Sequence, residues 1–166
     1  IKGECEMKNE MKKFEILSGN KKNWNGITLY QIKATTNFIT SSGIEIRERE
    51  LGGWIEKEEN LSQEGKAWVF ENAKIYGEAK ISDNAEIWGE TQICGNAKIS
   101  SPNNLLNITP VGKYKVSLTL FKTKNNSIEI SYNWKLYTLE EFDPVMSDWT
   151  KEEQKIVKAA IEILGG

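Results

Sequence analysis

The strongest constraint on the fold is a hexapeptide repeat in the middle of the chain. An isoleucine or valine recurs every six residues, and a small residue precedes each of them by two positions. A period of six fits neither an α-helix nor one long strand, so it predicts short strands joined by regular corners and stacked into a solenoid. The aliphatic positions are Val69, Ile75, Ile81, Ile87, Ile93 and Ile99, and the small ones are Ala67, Ala73, Ala79, Ala85, Thr91 and Ala97.

Alternation along each short strand predicts which side chains face the core. The small and the aliphatic residue of one hexad lie two positions apart, so they share a face of the strand, and we expect that face to point inwards. The residues between them should face outwards: Lys74, Lys80, Glu86, Gln92 and Lys98. The corners need residues that tolerate a positive φ. They are occupied by Gly77, Asp83, Gly89 and Gly95.

The hexads resemble those of proteins with a left-handed parallel β-helix, and residues 75–80 (IYGEAK) fit that family's loose consensus. In this family three hexads form one coil, so six hexads imply two coils. From Met11 onwards the chain is also similar to a group of phage and prophage hexapeptide-repeat proteins, some of which carry a transferase label. The segments that carry this similarity are 27–30 (ITLY), 51–79 (LGGWIEKEENLSQEGKAWVFENAKIYGEA), 120–130 (LFKTKNNSIEI), 138–142 (TLEEF) and 159–164 (AAIEIL).

We predict a mainly β protein in which a short left-handed β-helix lies between two smaller units. Residues 11–50 should form a β cap, with strands at 12–17 and 27–34 joined by the turn-rich segment 18–26. The following units are a β-helix at 51–101, a linker at 102–110 and a C-terminal β-β-α-α module at 111–166. Two capping boxes, Thr138 with Glu141 and Thr150 with Glu153, mark the helix starts of that module. A helical stripe should cover its hairpin: Val157, Ala160, Ile161 and Leu164.

The start of the chain suggests a leader. Residues 1–10 are expected to be leader or disordered sequence. With A-rich codons, residues 2–4 (KGE) would encode a bacterial ribosome-binding purine tract just before Met7. We therefore hypothesise that residues 1–6 are translated leader and that natural initiation occurs at Met7 or Met11.

Composition and charge limit the classes of partner that we expect the chain to bind. The chain has 166 residues with 22 Lys+Arg against 24 Asp+Glu, a net charge of −2, so it offers no bulk positive field for nucleic acid or an anionic membrane. No apolar run approaches the roughly 20 residues that span a bilayer, and the charged start lacks a secretory signal. We expect a cytoplasmic protein of the bacterial host cytosol, with neither a membrane nor a nucleic-acid partner.

The residues that usually carry out chemistry are scarce. The chain contains no histidine, and its two cysteines, Cys5 and Cys94, lack neighbouring ligands spaced for a metal. Alternation turns Cys94 outwards, where we expect an ordinary surface side chain. Three carboxylates of the repeat, Glu78, Glu86 and Glu90, could replace a histidine base in principle, but solvating charges are the simpler interpretation. We therefore predict no catalytic residue, no cofactor and no metal site.

Four aromatic residues of the repeat are the candidate site: Trp68, Phe70, Tyr76 and Trp88. Alternation points them away from the solenoid interior, and Phe70 and Trp88, three hexads apart, should stack across one coil. Two interpretations stay open. Another module or a neighbouring subunit of a homo-oligomer covers these rings, or they form a surface for a protein partner, since exposed apolar patches mark interaction sites.

The function that follows is binding rather than catalysis. The resemblance to phage proteins implies a host or phage protein as partner, for instance a host defence factor such as a CRISPR nuclease that the chain would inhibit. One alternative is acyl transfer, which the resemblance implies for a trimer with a histidine base, a residue that this chain lacks. The other alternative is a self-assembling structural protein, because open solenoid ends expose unpaired strand edges.

Overall fold

The computed structural model of the chain describes residues 11–123 and 125–165. These residues are mainly β, with a short helical region near the C-terminus. The hypothesis of a leader at residues 1–6, and the expectation of leader or disorder at 1–10, lie outside the described residues.

An antiparallel hairpin begins the described chain and is longer than the sequence predicts. Its strands are β1 (Phe14–Trp24) and β2 (Ile27–Ala34). The turn is confined to Asn25 and Gly26, both with positive φ, as a tight two-residue hairpin turn requires. The rest of the segment expected to be a turn belongs to β1, whose pairing with β2 shifts register between Ile16 and Lys21. A bulge at this point explains the difference, because it lets a polar segment continue the strand.

Short strands follow the hairpin. A two-stranded pair forms from β3 (Phe38–Ile39) and β4 (Glu45–Ile46), joined by a loop that contains residues 40–43. Strand β5 (Leu51–Ile55) pairs antiparallel with β2 and parallel with the strand of the second hexad, at residues 74–75. A 3₁₀ helix at Glu58–Asn60 leads into the hexads.

Each hexad forms one two-residue strand, and strands three hexads apart pair in parallel. The strands are β6 (Trp68–Val69), β7 (Lys74–Ile75), β8 (Lys80–Ile81), β9 (Glu86–Ile87), β10 (Gln92–Ile93) and β11 (Lys98–Ile99). Strand β6 pairs with β9, β7 with β10, and β8 with β11, so the repeat lies in three separate ladders. Every aliphatic and small position of the hexads is buried. The predicted inward face is therefore confirmed.

The corners of the repeat have the backbone conformation that the sequence predicts. Gly77, Gly89 and Gly95 have φ of 65°, 63° and 64°, and Asp83 has a φ of 54°. These values lie in the left-handed region, which only glycine and short polar residues adopt without strain. The chain therefore turns at a fixed position after each of these strands.

The C-terminal part is a four-stranded antiparallel sheet with helices. Its strands are β12 (Leu105–Val111), β13 (Val116–Lys122), β14 (Ile128–Tyr132) and β15 (Lys135–Thr138), in that spatial order. Residues 102–110, expected to be a linker, instead contain a 3₁₀ helix at Pro102–Asn104 and most of β12. Pairing with β13 gives this Asn-rich segment backbone partners that its composition does not reveal.

Both predicted capping boxes are present. Thr138 caps α1 (Leu139–Phe142), and Thr150 caps α2 (Lys151–Ile163). Val157, Ala160 and Leu164 of the predicted stripe are buried in a core shared with the sheet. None of the helices in the described part of the chain is both long and apolar enough to cross a membrane.

The C-terminal sheet packs against the last strands of the repeat. Phe121 of β13 belongs to the core of the hexads, and Leu105 and Leu136 pack against that core. A Cβ on Gly95 would clash with a Leu136 methyl carbon, so the two parts are in close contact. At the other side the core includes Phe14 of β1 and Ile46 of β4. Both the N-terminal cap and the C-terminal sheet therefore pack against the core of the hexads.

Candidate functional site

The four candidate aromatic residues do not form one open surface. Trp68, Phe70 and Tyr76 are buried, with 0%, 8% and 6% of their surface exposed, whereas Trp88 is 39% exposed. Of the two open interpretations, covered rings describe Trp68, Phe70 and Tyr76, and an exposed ring describes Trp88. Alternation gives the side of the strand on which a ring lies, but it does not tell what packs on that side.

Trp68 is covered by the N-terminal cap. Its ring makes edge contacts with Phe14 of β1 and Phe38 of β3, with ring centroids 6.5 and 5.3 Å apart. Such T-shaped pairs are favourable arrangements for buried aromatic rings. The cap therefore uses Trp68 as a packing residue.

Tyr76 and Cys94 lie in a small core with Leu29 of β2. Cys94, predicted to be a surface residue, is 6% exposed, and its Sγ lies 3.9 Å from the Ser131 Oγ of β14. Burial raises the pKa of the Cys94 thiol, and burial also raises the pKa of Tyr76. The prediction of an exposed cysteine is wrong because the N-terminal hairpin and the C-terminal sheet cover the corner on which it lies.

Trp88 stacks on Phe70. The two ring centroids are 3.5 Å apart and the ring planes differ by 6°. The stacking predicted from the three-hexad spacing is confirmed for this pair. Phe70 fills the space beneath Trp88, so one indole face is presented to solvent on a fixed support.

Two carboxylates lie close to this pair in the sequence. Glu71 follows Phe70, and its Oε2 lies 3.9 Å from the point that a Cβ on Gly89 would occupy. Glu90 accepts a hydrogen bond from the Asn72 amide at 2.8 Å and lies 3.4 Å from the Lys74 ammonium. We call the surface of Phe70, Glu71, Trp88 and Glu90 the aromatic–acidic patch. The sequence contains a signal for part of this patch. Asn72 and Glu90 are three hexads apart, the same spacing that predicts the stacking of Phe70 and Trp88.

Two charged residues expected in solvent are buried instead. Lys74 is 3% exposed, and its ammonium donates to the Asn72 carbonyl at 2.8 Å and lies 4.5 Å from the Trp24 ring centroid. Glu86 is 5% exposed and accepts hydrogen bonds from Ser41 and Ser42. Lys74 is compensated by its ion pair with Glu90 and by the Trp24 ring, and Glu86 is compensated by the donors of Ser41 and Ser42.

The carboxylates considered as a replacement for a histidine base, those of Glu78, Glu86 and Glu90, all accept hydrogen bonds from neighbouring side chains. A hydrogen bond from Lys57 keeps the pKa of Glu78 below its ordinary value. Burial raises the pKa of Glu86, but hydrogen bonds from Ser41 and Ser42 outweigh burial and leave this pKa low. A lowered pKa makes a carboxylate a weaker base near neutral pH. Glu90 is the acceptor of Asn72 in the aromatic–acidic patch.

No group of three metal-ligating side chains is found in the described ranges 11–123 and 125–165. The chain also has no histidine anywhere in its sequence. The candidate site consists of an exposed indole that stacks on a buried phenyl ring. No protein-family model matches the chain, and no curated protein matches it at a significant level.

Proposed function

We propose that this chain is a non-catalytic, phage-associated protein that binds another protein through the aromatic–acidic patch. The observation that carries the proposal is the exposed Trp88 ring stacked on Phe70. A host defence factor such as a CRISPR nuclease is the class of partner that the resemblance to phage proteins suggests. The charges of the patch favour a partner that presents a basic residue.

The scaffold of this surface is, in the proposal, a short left-handed β-helix. Its support is the set of three parallel ladders, each joining strands three hexads apart. The buried aliphatic positions and the positive φ at the corners are consistent with the same arrangement. A stacked coil places equivalent residues of successive hexads above one another, and this relationship aligns Phe70 with Trp88.

The stacked ring suits a binding site for an energetic reason. Tryptophan offers a large contact area, and interface hot spots are enriched in it. Immobilising a mobile side chain costs roughly 0.5–1.5 kcal/mol on binding. Contact with Phe70 holds the indole before a partner arrives, so less of that cost remains. The Trp88 ring and the carboxylate of Glu71 together suit a lysine or arginine of the partner.

A capture experiment with two variants tests the proposal. The full chain, its Trp88→Ala variant and its Tyr114→Ala variant are used as bait in a lysate of the bacterial host. Tyr114 is a suitable control because it is an aromatic residue that is 57% exposed and lies outside the patch. We expect one protein to be captured by wild type and Tyr114→Ala and lost with Trp88→Ala. That protein, once purified, should bind in a fixed stoichiometry.

The capture experiment can also contradict the proposal. If Trp88→Ala captures the same proteins in the same yield as wild type, the patch is not the binding surface. Heat of binding on titration with acetyl-coenzyme A, together with trimers in solution, would support acyl transfer instead.

Self-assembly through the ends of the repeat is less well supported. Phe121 from the C-terminal sheet, and Phe14 and Ile46 from the N-terminal cap, share the core of the hexads. Growth into an open assembly needs uncovered strand edges. Light scattering that shows growth of the assembly with protein concentration would favour the structural role over the binding role.

A further inference from the structure

Two lysines of the repeat lie side by side in register. Lys80 of β8 and Lys98 of β11 are paired residues of parallel neighbouring strands. Neighbouring strands are about 4.8 Å apart, and like charges directly opposite each other destabilise a sheet. Neither ammonium forms an ion pair with a carboxylate among residues 11–123 and 125–165. The repeat therefore holds two exposed positive charges in register, neither of them in an ion pair among these residues.

The other two hexad ladders avoid this repulsion. Trp68 is paired with Glu86 in one ladder, and Lys74 is paired with Gln92 in the other. Only the β8–β11 ladder places two cations opposite each other among the hexads. An anion bound between the two ammonium groups would remove the repulsion.

These lysines line a cleft of about 690 Å³ between the repeat and the β13–β14 hairpin. Lys122 is a third cation of the lining, on the hairpin side, and among the described residues Asp83 is the one carboxylate that lines the cleft. Asp83 already accepts a hydrogen bond from the Ser82 hydroxyl at 2.7 Å. The remaining polar lining consists of groups that can donate hydrogen bonds: Ser62, Ser82, Ser100, Asn104, Thr123 and Asn126.

We infer that this cleft binds a small phosphorylated molecule, with a diphosphate group between Lys80 and Lys98. Lysine binds phosphate as a point charge, and three lysines line the cleft. The spacing of neighbouring strands allows one ammonium to contact each phosphate of a diphosphate. The volume of the cleft lies in the range of small-molecule sites, roughly 300–1,000 Å³.

This inference does not rest on the protein-binding function. The cleft and the aromatic–acidic patch share no residue, and the cleft is lined by β8, β11 and the hairpin rather than by the corners at Phe70 and Trp88. A failure of one site therefore leaves the other open to test.

Calorimetric titration with inorganic pyrophosphate tests the cleft. The proteins compared are the wild-type chain, a Lys80→Gln/Lys98→Gln variant and a Lys151→Gln/Lys155→Gln control, which removes the same charge from the exposed surface of α2. We expect pyrophosphate to bind wild type and control equally, and the first variant about tenfold or more weakly, because it loses two charge-assisted contacts. Inorganic phosphate should bind more weakly than pyrophosphate, since it contacts one lysine at a time.

The melting temperature of the Lys80→Gln/Lys98→Gln variant shows whether this variant is folded. At low salt and without added anion, Lys80→Gln/Lys98→Gln should melt at or above the temperature of wild type, because the repulsion has been removed. Pyrophosphate should raise the melting temperature of wild type and leave that of the variant unchanged. Equal binding by wild type and variant, or no binding to wild type, would overturn the inference. Tighter binding of an unstructured oligothymidine than of pyrophosphate would overturn the small-molecule assignment in favour of a nucleic-acid strand.

Discussion

Ser42 holds the carboxylate of Glu86 with two hydrogen bonds. Its backbone N–H donates at 2.7 Å and its hydroxyl at 2.8 Å. The Ser41 hydroxyl donates to the same carboxylate at 2.7 Å. A buried carboxylate is stable in its charged form only when donors replace the water that it has lost. The loop between β3 and β4 is therefore fastened to β9 through a single side chain.

The first prediction concerns the contribution of Glu86 to stability. Hydrogen bonds to a charged group contribute roughly 1.5–3 kcal/mol each, so Glu86→Gln should lower the free energy of unfolding by about 2 kcal/mol at pH 7. Because the pKa of Glu86 is lowered in the folded state, its contribution is present above the ordinary glutamate pKa and lost as the pH falls through the folded value. Urea unfolding at pH 7 and pH 3 checks both statements.

Glu48→Gln is the matched control for Glu86, since Glu48 is exposed. Its substitution should change the free energy of unfolding by less than about 0.5 kcal/mol at either pH. A difference between wild type and Glu86→Gln that stays the same at both pH values would contradict the role given to the charge.

The second prediction concerns Lys13, a buried lysine without a carboxylate partner among the described residues. Its ammonium donates to the carbonyl oxygens of Ala67 at 2.9 Å and Glu64 at 3.3 Å. Burial lowers the pKa of Lys13 to about 8. Between pH 8 and the ordinary lysine pKa the unfolded chain holds a proton that the folded chain has released, so stability should rise with pH in this window.

A Lys13→Met variant isolates this contribution. The free energy of unfolding of wild type relative to Lys13→Met should rise between pH 8 and pH 10, by about 1–3 kcal/mol. A relative stability that is flat or falls over this interval would show that the folded protein keeps Lys13 charged.

The third prediction separates the two rings of the aromatic–acidic patch. Phe70 is buried, so Phe70→Ala should cost about 3 kcal/mol of stability. Trp88 is partly exposed, so Trp88→Ala should cost about 1 kcal/mol, mainly the stacking interaction. Equilibrium unfolding of both variants gives the comparison. Equal losses would mean that the two rings are equally buried, contrary to the structure.

The fourth prediction tests the inward face of the hexads. Ile87 is fully buried, so Ile87→Ala should lower the free energy of unfolding by about 2–5 kcal/mol. Ile163 is 75% exposed at the end of α2, and Ile163→Ala should change it by less than about 0.5 kcal/mol. Thermal or urea unfolding measures both, and a small loss for Ile87→Ala would be incompatible with a packed repeat.

Local pattern predicts much of this fold. The spacing of Ile75 and Ile93 predicts burial because each hexad buries the same face, and the threonine–glutamate pairs at 138–141 and 150–153 predict helix starts because capping needs only neighbouring residues. The stacking of Phe70 and Trp88 follows from the same spacing. These features depend on the arrangement within one strand, one turn or one pair of hexads.

Contacts between the cap, the repeat and the C-terminal sheet cannot be predicted from this local pattern. Alternation gives the side on which Trp68, Lys74 and Cys94 lie, but Phe14, Trp24 and Ser131, which are distant in sequence, decide that these residues are buried. The same limit applies to residues 102–110, which local pattern predicts as a linker, because β13 supplies the hydrogen bonds that make most of this segment a strand.

The most direct test of the account is hydroxyl-radical footprinting of tryptophan residues, with and without the captured partner. The account predicts rapid oxidation of Trp88 in the free protein, strong protection of Trp88 in the complex, and no oxidation of Trp68 in either state. Oxidation of Trp88 that is unchanged by the partner would contradict the claim that this ring is the binding surface.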